Sequence, residues 1–219
     1  MKHVKAMLFD LDGTLIDTEK YYRRCWPAAC AHFGFTMTDD QVLKLRSLGR
    51  PFAPRQFEKW FGPAFDYKEV REYRKLLFEQ CVAEEGIQLK PGAKELLTYL
   101  REKGIITAIA TATDQERTAR YLERVGLTGY FDKICSAADV PEGKPSPDVY
   151  REACAQLGLS PEVCVAVEDA PNGIRAAHGA GCRVIFAPDQ TRDEPEVEPL
   201  TVAKIETLFD IIDLLQEND

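Results

Sequence analysis

From Leu89 to the C-terminus, short apolar runs alternate with stretches of helical spacing, and that alternation restricts the possible folds more than any other feature. In PGAKELLTYLREKG, Leu96, Leu97 and Leu100 share one helical face, with Pro91 near the start and Gly104 past the end. IITAIAT reads as a buried strand, DQERTARYLERVG as a helix closed by glycine, and DKICSA as a short strand. SPDVYREACAQLG is a helix opened by Ser146 and Pro147. VCVAVED, PNGIRAAHGAG, CRVIFAP and KIETLFDIIDLLQ continue the series as strand, helix, strand and closing amphipathic helix. Strands that recur between helices in this way form a parallel sheet covered on both faces, so the fold class is α/β.

The first strand stands apart from the series. The run MLF ends at Asp10, and from Thr18 to about Gly86 helical segments follow one another without a strand: TEKYYRRCWPAACAHFG, TDDQVLKLRSLG, FAPRQFEKWFG and DYKEVREYRKLLFEQCVAEEG. The economical arrangement is a core of residues 1–16 and 88–219 with residues 17–87 inserted as an all-helical cap. Hinges are expected at Ile16 to Thr18 and at Gln88 to Gly92.

Composition narrows the partners. The chain is 45% hydrophobic and 29% charged, the balance of an ordinary globular protein. Its net charge of -8 is spread along the chain, which argues against nucleic acid as a partner. No segment approaches the roughly 20 apolar residues that span a bilayer. MKHVKAMLF lacks the long apolar stretch and small-residue cleavage site of a signal peptide. The 7 cysteines are odd in number, show no C-x-x-C spacing and lie mostly in apolar runs, as reduced structural thiols do. These features point to a cytoplasmic protein without a nucleic-acid or membrane partner, and a monomer or weak homodimer is expected.

Acidic and phosphate-compatible residues gather at the carboxyl ends of the expected strands: Asp10 and Asp12, Thr111, Lys144, and Glu168 with Asp169. In open parallel sheets ligands bind at that rim. Carboxylates there are tolerable if a cation shares the site, and Mg²⁺ fits, because a hard ion takes carboxylate and carbonyl oxygens while keeping several waters. Asp10 and Asp169 supply carboxylates and Asp12 a backbone carbonyl; with no His or Cys among them, zinc is disfavoured. Asp10 is then placed to attack phosphorus, and Asp12 to protonate the leaving alkoxide and later deprotonate water. Gly13 lets the chain turn, and Thr14 can cap that turn. Thr111, the backbone N–H of Ala112 and Lys144 offer the donors and positive charge that phosphoryl transfer requires.

DLDGTLIDTE, ATAT, GKPSPDVY and VEDAPNGIRAAHGAG resemble the ordered motifs of the haloacid dehalogenase-like hydrolase superfamily, over nearly the whole chain. The resemblance implies a Rossmann-like core with a helical cap and Mg²⁺-dependent phosphoryl transfer through an aspartyl phosphate. It makes Asp10 the nucleophile, Asp12 the acid/base, Thr111 and Lys144 phosphate binders, and Asp169 a metal ligand with Glu168 beside it. Asn172 and Gly173 would support the site from the loop beyond. Dehalogenases of this superfamily lack the second aspartate of the first motif, so Asp12 turns the reading toward a phosphatase. The β-phosphoglucomutase branch carries a histidine where this chain has Tyr22, which favours hydrolysis over isomerisation. Phosphonate cleavage would require a Schiff-base lysine in the cap, and none of Lys20, Lys44, Lys59, Lys68 and Lys75 has a recognisable context. A receiver-type signalling domain would need neither the inserted helices nor Asp12.

The cap is expected to select the substrate, with a small phosphorylated metabolite favoured and a sugar phosphate first among them. TEKYYRRCW and SLGRPFAPR are the expected inward-facing segments, with Arg50 the leading substrate-binding candidate and Arg55 and Tyr22 behind it. Trp26, Trp60 and Phe61 read as core, and His3, His32 and His178 have no ligand-like spacing.

Overall fold

Strand β1 (Ala6–Phe9) is buried along its whole length, and its alternate residues serve opposite sides of the sheet. Met7 and Phe9 join one apolar cluster, with Leu96, Leu97, Leu100, Tyr121 and Ile211. Ala6 and Leu8 join the other, with Val149, Tyr150, Ala153, Ile174 and Ala177. A strand apolar on both faces needs helices on both sides. The computed structural model, which describes residues 3–216, contains a 6-stranded parallel sheet in the order β3-β2-β1-β4-β5-β6. Its other strands are β2 (Ile106–Thr111), β3 (Lys133–Ser136), β4 (Cys164–Glu168), β5 (Arg183–Phe186) and β6 (Ala203–Lys204). Helices α5 (Ala93–Glu102), α6 (Gln115–Arg124) and α9 (Phe209–Gln216) supply one face, and α7 (Asp148–Leu157) and α8 (Pro171–Ala180) the other. This is the Rossmann-like α/β architecture expected from the sequence. Met1 and Lys2 of MKHVKAMLF lie outside the described residues.

The sheet grows outward from β1 in two directions, through β2 to β3 and through β4 to β6. The point where strand order reverses therefore lies beside β1, where ligands bind in such sheets. Phe9 is in register with Ile109 of β2 and Val167 of β4, so the loops after all three strands open at one place.

Between β1 and α5 lie α1 (Glu19–His32), α2 (Asp39–Lys44), α3 (Phe52–Phe61) and α4 (Tyr67–Glu85). Trp26, Phe57, Phe65 and Val70 centre a separate apolar cluster among them. The two chain crossings into this segment pair with each other. Ile16 bridges Leu89, the Asp17 N–H donates to the Gln88 carbonyl at 2.9 Å, and the Lys90 N–H to the Leu15 carbonyl at 2.9 Å.

Several boundaries differ from the pattern. The second helical stretch, expected to run to Gly49, ends at Lys44, and Ser47 beyond it has a left-handed φ of 57°. The closing helix starts at Phe209 because the Asp210 carboxylate caps the Glu206 and Thr207 amides, which frees Ala203 and Lys204 to add β6. Two residues are too few to carry a strand period.

One further contact joins the inserted helices to the core. The Gly49 N–H donates to the Lys144 carbonyl at 2.8 Å, and the Gly143 N–H to the Arg50 carbonyl at 2.6 Å. Backbones approach so closely that a Cβ on Gly49 would lie 2.7 Å from the Gly143 Cα. Gly143→Ala is expected to break this paired contact and to speed hydrogen exchange of the Gly49 amide by on the order of tenfold, the value of one lost hydrogen bond. Unchanged exchange at that amide would show that the contact does not hold the two segments together.

Candidate active site

The floor of the site begins where β1 stops. The Asp10 N–H still donates to the Val167 carbonyl at 3.0 Å, which seats its buried carboxylate beside β4. The chain then folds back: the Gly13 N–H donates to the Ile16 carbonyl at 2.8 Å, with Gly13 at φ 84°. Glycine is required here for space as well as for φ, because a Cβ would stand 2.6 Å from Asp169 Oδ2. Thr14 does not cap this turn as expected. Its hydroxyl is buried without a partner, since the backbone bond of Gly13 already closes the turn.

Asp12 is held on both carboxylate oxygens by hydroxyls from distant elements. Thr18 donates to Oδ1 at 2.6 Å and Thr113 to Oδ2 at 2.7 Å. Thr111, at the end of β2, accepts the Thr113 N–H at 3.0 Å, so its own hydroxyl proton is free to donate into the cavity it lines. Ala112 lies exposed on the same wall.

Lys144 is fully buried and its ammonium lies 2.6 Å from both Asp10 Oδ1 and Glu168 Oε1. Burial alone would depress its pKa, but the two carboxylates outweigh burial and hold the ammonium above the ordinary lysine range. The Tyr150 hydroxyl donates to the same Glu168 oxygen at 2.5 Å. Gly173 makes room for that carboxylate, since a Cβ there would fall 2.0 Å from Oε2. Glu168 therefore orients Lys144 with one oxygen and keeps the other free.

Asp10, Glu168 and Asp169 each bring a carboxylate oxygen within 4.8 Å of the others. Both Asp169 oxygens and Glu168 Oε2 are buried without hydrogen-bond partners. Buried anionic oxygens left unpaired are costly, so this cluster has the donor set and the unmet charge of a site for a hard cation. Asp12, placed in the expected metal set, has its carboxylate taken up by the two threonines, which leaves only its backbone carbonyl for that role.

The opposite wall is cationic. A cavity of about 270 Å³ runs from Asp10 and Asp12 to Arg50, Arg71, Arg74 and Arg117, with Tyr22 and Trp26 along its side. Arg50 and Tyr22 thus line it as anticipated; Arg55 does not. Trp26, read as core, belongs both to the apolar cluster and to the cavity wall. Asn172 supports the site indirectly, donating to the Arg46 carbonyl at 2.8 Å and to the Lys44 carbonyl at 3.2 Å. Glu19, Thr18, Thr113, Arg46, Arg74 and Arg117 were missed from sequence. Thr18 and Glu19 lie directly beside the first motif in DTE, which is the signal that could have found them.

The family model described as "Hydrolase: haloacid dehalogenase-like hydrolase" matches residues 4–181. This chain belongs to the haloacid dehalogenase-like hydrolase family. It is 32% identical over 193 residues to hexitol phosphatase B of Escherichia coli, covering 85% of each protein. It is 30% identical over 187 residues to the phosphorylated carbohydrates phosphatase of Thermotoga maritima, covering 84% of each. Among solved structures, CbbY from Rhodobacter sphaeroides in complex with phosphate superposes with a TM-score of 0.79 at 30% identity, covering 95% of this chain and 96% of that one.

Burial raises the pKa of Asp10 to about 8, Glu168 and Asp12 adding to the effect and Lys144 opposing it. Burial likewise raises Asp169 well above the usual range, with Glu19 and Asp10 contributing. The folded protein thus binds protons more tightly than the unfolded chain. The stability Asp10 contributes in this way is full below its ordinary value of 3.8 and is lost as pH rises through about 8, and that of Asp169 is likewise lost as pH rises. Melting midpoints measured without divalent cation are expected to fall across that window, and added divalent cation to raise them most at its upper end. Midpoints indifferent to cation at every pH would rule out the acidic cluster as a cation site.

Proposed function

We propose that this protein is a Mg²⁺-dependent phosphatase that hydrolyses a small phosphorylated metabolite, with a sugar phosphate favoured, through an aspartyl-phosphate intermediate. The observation that carries the reading is the placement of Asp10, with Oδ1 fixed by Lys144, beside an acid held by two hydroxyls. The similarity to phosphatases of phosphorylated carbohydrates and hexitols supports the substrate class.

The carboxylates of Asp10 and Asp169, the free oxygen of Glu168 and the carbonyl of Asp12 would hold Mg²⁺, which supplies neutralising charge to the phosphoryl oxygens when bound. Asp10 attacks phosphorus as the bond to the leaving alcohol breaks, and Asp12 gives that alcohol its proton. Water then attacks the aspartyl phosphate while Asp12 takes back a proton, releasing inorganic phosphate and restoring Asp10. The hydroxyl of Thr111, the amide of Ala112 and the ammonium of Lys144 stabilise the equatorial oxygens, where charge spreads in the transition state.

Residues 17–87 act as a cap over this site, hinged at the paired crossings near Ile16 and Leu89, and their contact with the core at Gly49 and Gly143 excludes water. Tyr22, where the mutase branch carries histidine, packs at a tilt against the Phe78 ring, lies under the Arg74 guanidinium and has its pKa raised first by burial, so it supplies no base to a sugar hydroxyl. That favours hydrolysis over isomerisation. The 7 cysteines, none in a disulfide, support a reducing compartment such as the cytoplasm.

Asp10→Asn is expected to lower kcat on sugar phosphates by on the order of a thousandfold or more with an unchanged circular dichroism spectrum, because the covalent step loses its nucleophile. Comparable Mg²⁺-dependent phosphate release by that variant would refute the assignment. Asp12→Ala is expected to accumulate a phosphoenzyme, seen as one added phosphoryl group by intact mass spectrometry; turnover at the native rate would remove Asp12 from the proton path.

A further inference from the structure

We propose that Cys25 and Cys81 form a redox-active dithiol, which a peroxide converts to a disulfide that staples the inserted helices at their base. The inference uses no residue of the proposed catalytic site and stands whether or not the phosphatase reading holds.

The two thiols are 56 positions apart in sequence, yet their Sγ atoms lie 3.7 Å from each other. Contacts on the same seam between α1 and α4 fix where they meet. The Tyr21 hydroxyl donates to the Gly86 carbonyl at 2.7 Å, and the Arg24 guanidinium pairs with Glu85 at 2.6 Å. Cys25 joins the apolar cluster of Tyr21, Phe78 and Val82, and Cys81 packs against it. A disulfide has an S–S distance of about 2.0 Å, so the sulfurs have less than about 2 Å to close. That gap is within the sweep of rotations about the two Cα–Cβ bonds.

Access and charge single out this pair. Cys81 is half-buried, whereas the other cysteines are buried. Cys154 and Cys182 are the internal contrast. Their Sγ atoms lie 3.9 Å apart, but both residues are sealed in the core's second apolar cluster, where the folded protein shields them from an oxidant. Cys30 meets the thioether of Met37 rather than a second thiol. Arg24 is a positive neighbour of both Cys25 and Cys81, which favours thiolate at the seam. Burial nonetheless pushes the Cys25 thiol up to about 12, so Cys81 is the sulfur that reacts first.

The chemistry balances in two steps. With hydrogen peroxide, the Cys81 thiolate attacks one oxygen, the O–O bond breaks, and the departing hydroxide takes a proton to become water, leaving a sulfenic acid. The Cys25 sulfur then attacks the Cys81 sulfur, the S–O bond breaks, and hydroxide leaves with the Cys25 proton as a second water. The two sulfurs are oxidised and the peroxide oxygens reduced. The new bond joins α1, which follows the first crossing from the core, to α4, which precedes the second, and so closes the cap's chain at its base. A dithiol reductant reverses it, as in the redox-sensing disulfides of reducing compartments.

The test exposes the folded, reduced protein to a small excess of hydrogen peroxide. Remaining thiols are then blocked with N-ethylmaleimide in denaturant and counted by intact mass spectrometry, with peptide mapping. Two fewer blocked thiols than in the reduced control are expected, with a Cys25–Cys81 crosslinked peptide that dithiothreitol releases. The oxidised protein is expected to melt several degrees above the reduced one, a gain absent from Cys81→Ser. In Cys25→Ser the second step is blocked, and dimedone is expected to tag Cys81 as its sulfenic acid. The wild-type peptide map decides the matter even if a variant does not fold. Every thiol still blocked, a link between Cys154 and Cys182 instead, or a Cys81 disulfide between two chains would overturn the proposal. A Cys25–Cys81 link without a rise in melting midpoint would overturn its role as a staple.

Discussion

Lys144 is a charge with no access to water, and the site is arranged around satisfying it. An unpaired buried ammonium costs several kcal/mol, as does each unpaired buried carboxylate, so the Lys144 loop and the ends of β1 and β4 are stable only together. Loss of Asp10 would leave Lys144 with Glu168 as its one counter-charge, and Glu168 cannot turn without losing both Lys144 and Tyr150. The register of β1 against β4 makes this possible, because it sets Asp10 one residue beyond Phe9 while Glu168 follows Val167. The triad consumes one oxygen of Asp10 and one of Glu168. What remains on that floor is a set of buried carboxylate oxygens without partners, centred on Asp169, that a proton or a hard cation can satisfy.

The same loop ties the floor to the helices above it. Lys144 contributes its ammonium downward and its carbonyl to the Gly49 amide, one residue from the Gly143 amide that reaches Arg50. Any shift of the inserted segment away from the core therefore pulls on the residue that holds the nucleophile. Asp12 is tied in a parallel way, since the hydroxyl on its Oδ1 belongs to Thr18, at the crossing into α1. Both the proposed nucleophile and the proposed acid/base are thus referred to the position of the cap through a single hydrogen bond or loop.

Much of this was readable from sequence, for reasons that also explain what was not. Strands β1, β2, β4 and β5 announce themselves because apolar residues fill both of their faces, and Asp10, Asp12, Thr111, Lys144, Glu168 and Asp169 converge because each ends or follows a strand of one parallel sheet. Arg74 and Arg117 were illegible for the opposite reason. They sit in charged helices, where periodicity separates a polar from an apolar face but cannot tell a face turned to solvent from one turned to a cavity. The early end of α2 depends on a left-handed serine that no propensity favours, and β6 on two residues that pair only once β5 is in place. Trp26 shows the limit of a core-or-site choice, because the side chain that fills the cap's apolar cluster also presents a face to Arg74.

The two walls of the cavity are consequently unlike in how they tolerate their charge. On the floor, like-charged carboxylates crowd together, their pKa values raised by burial, and one lysine offsets part of the repulsion. On the roof, Arg74 cannot relieve its burial by losing a proton at any ordinary pH, and aromatic faces carry it instead. In the proposed phosphatase a metal ion would answer the first wall, while the second would face the part of the substrate beyond its phosphoryl group, so that the two walls would divide catalysis from recognition.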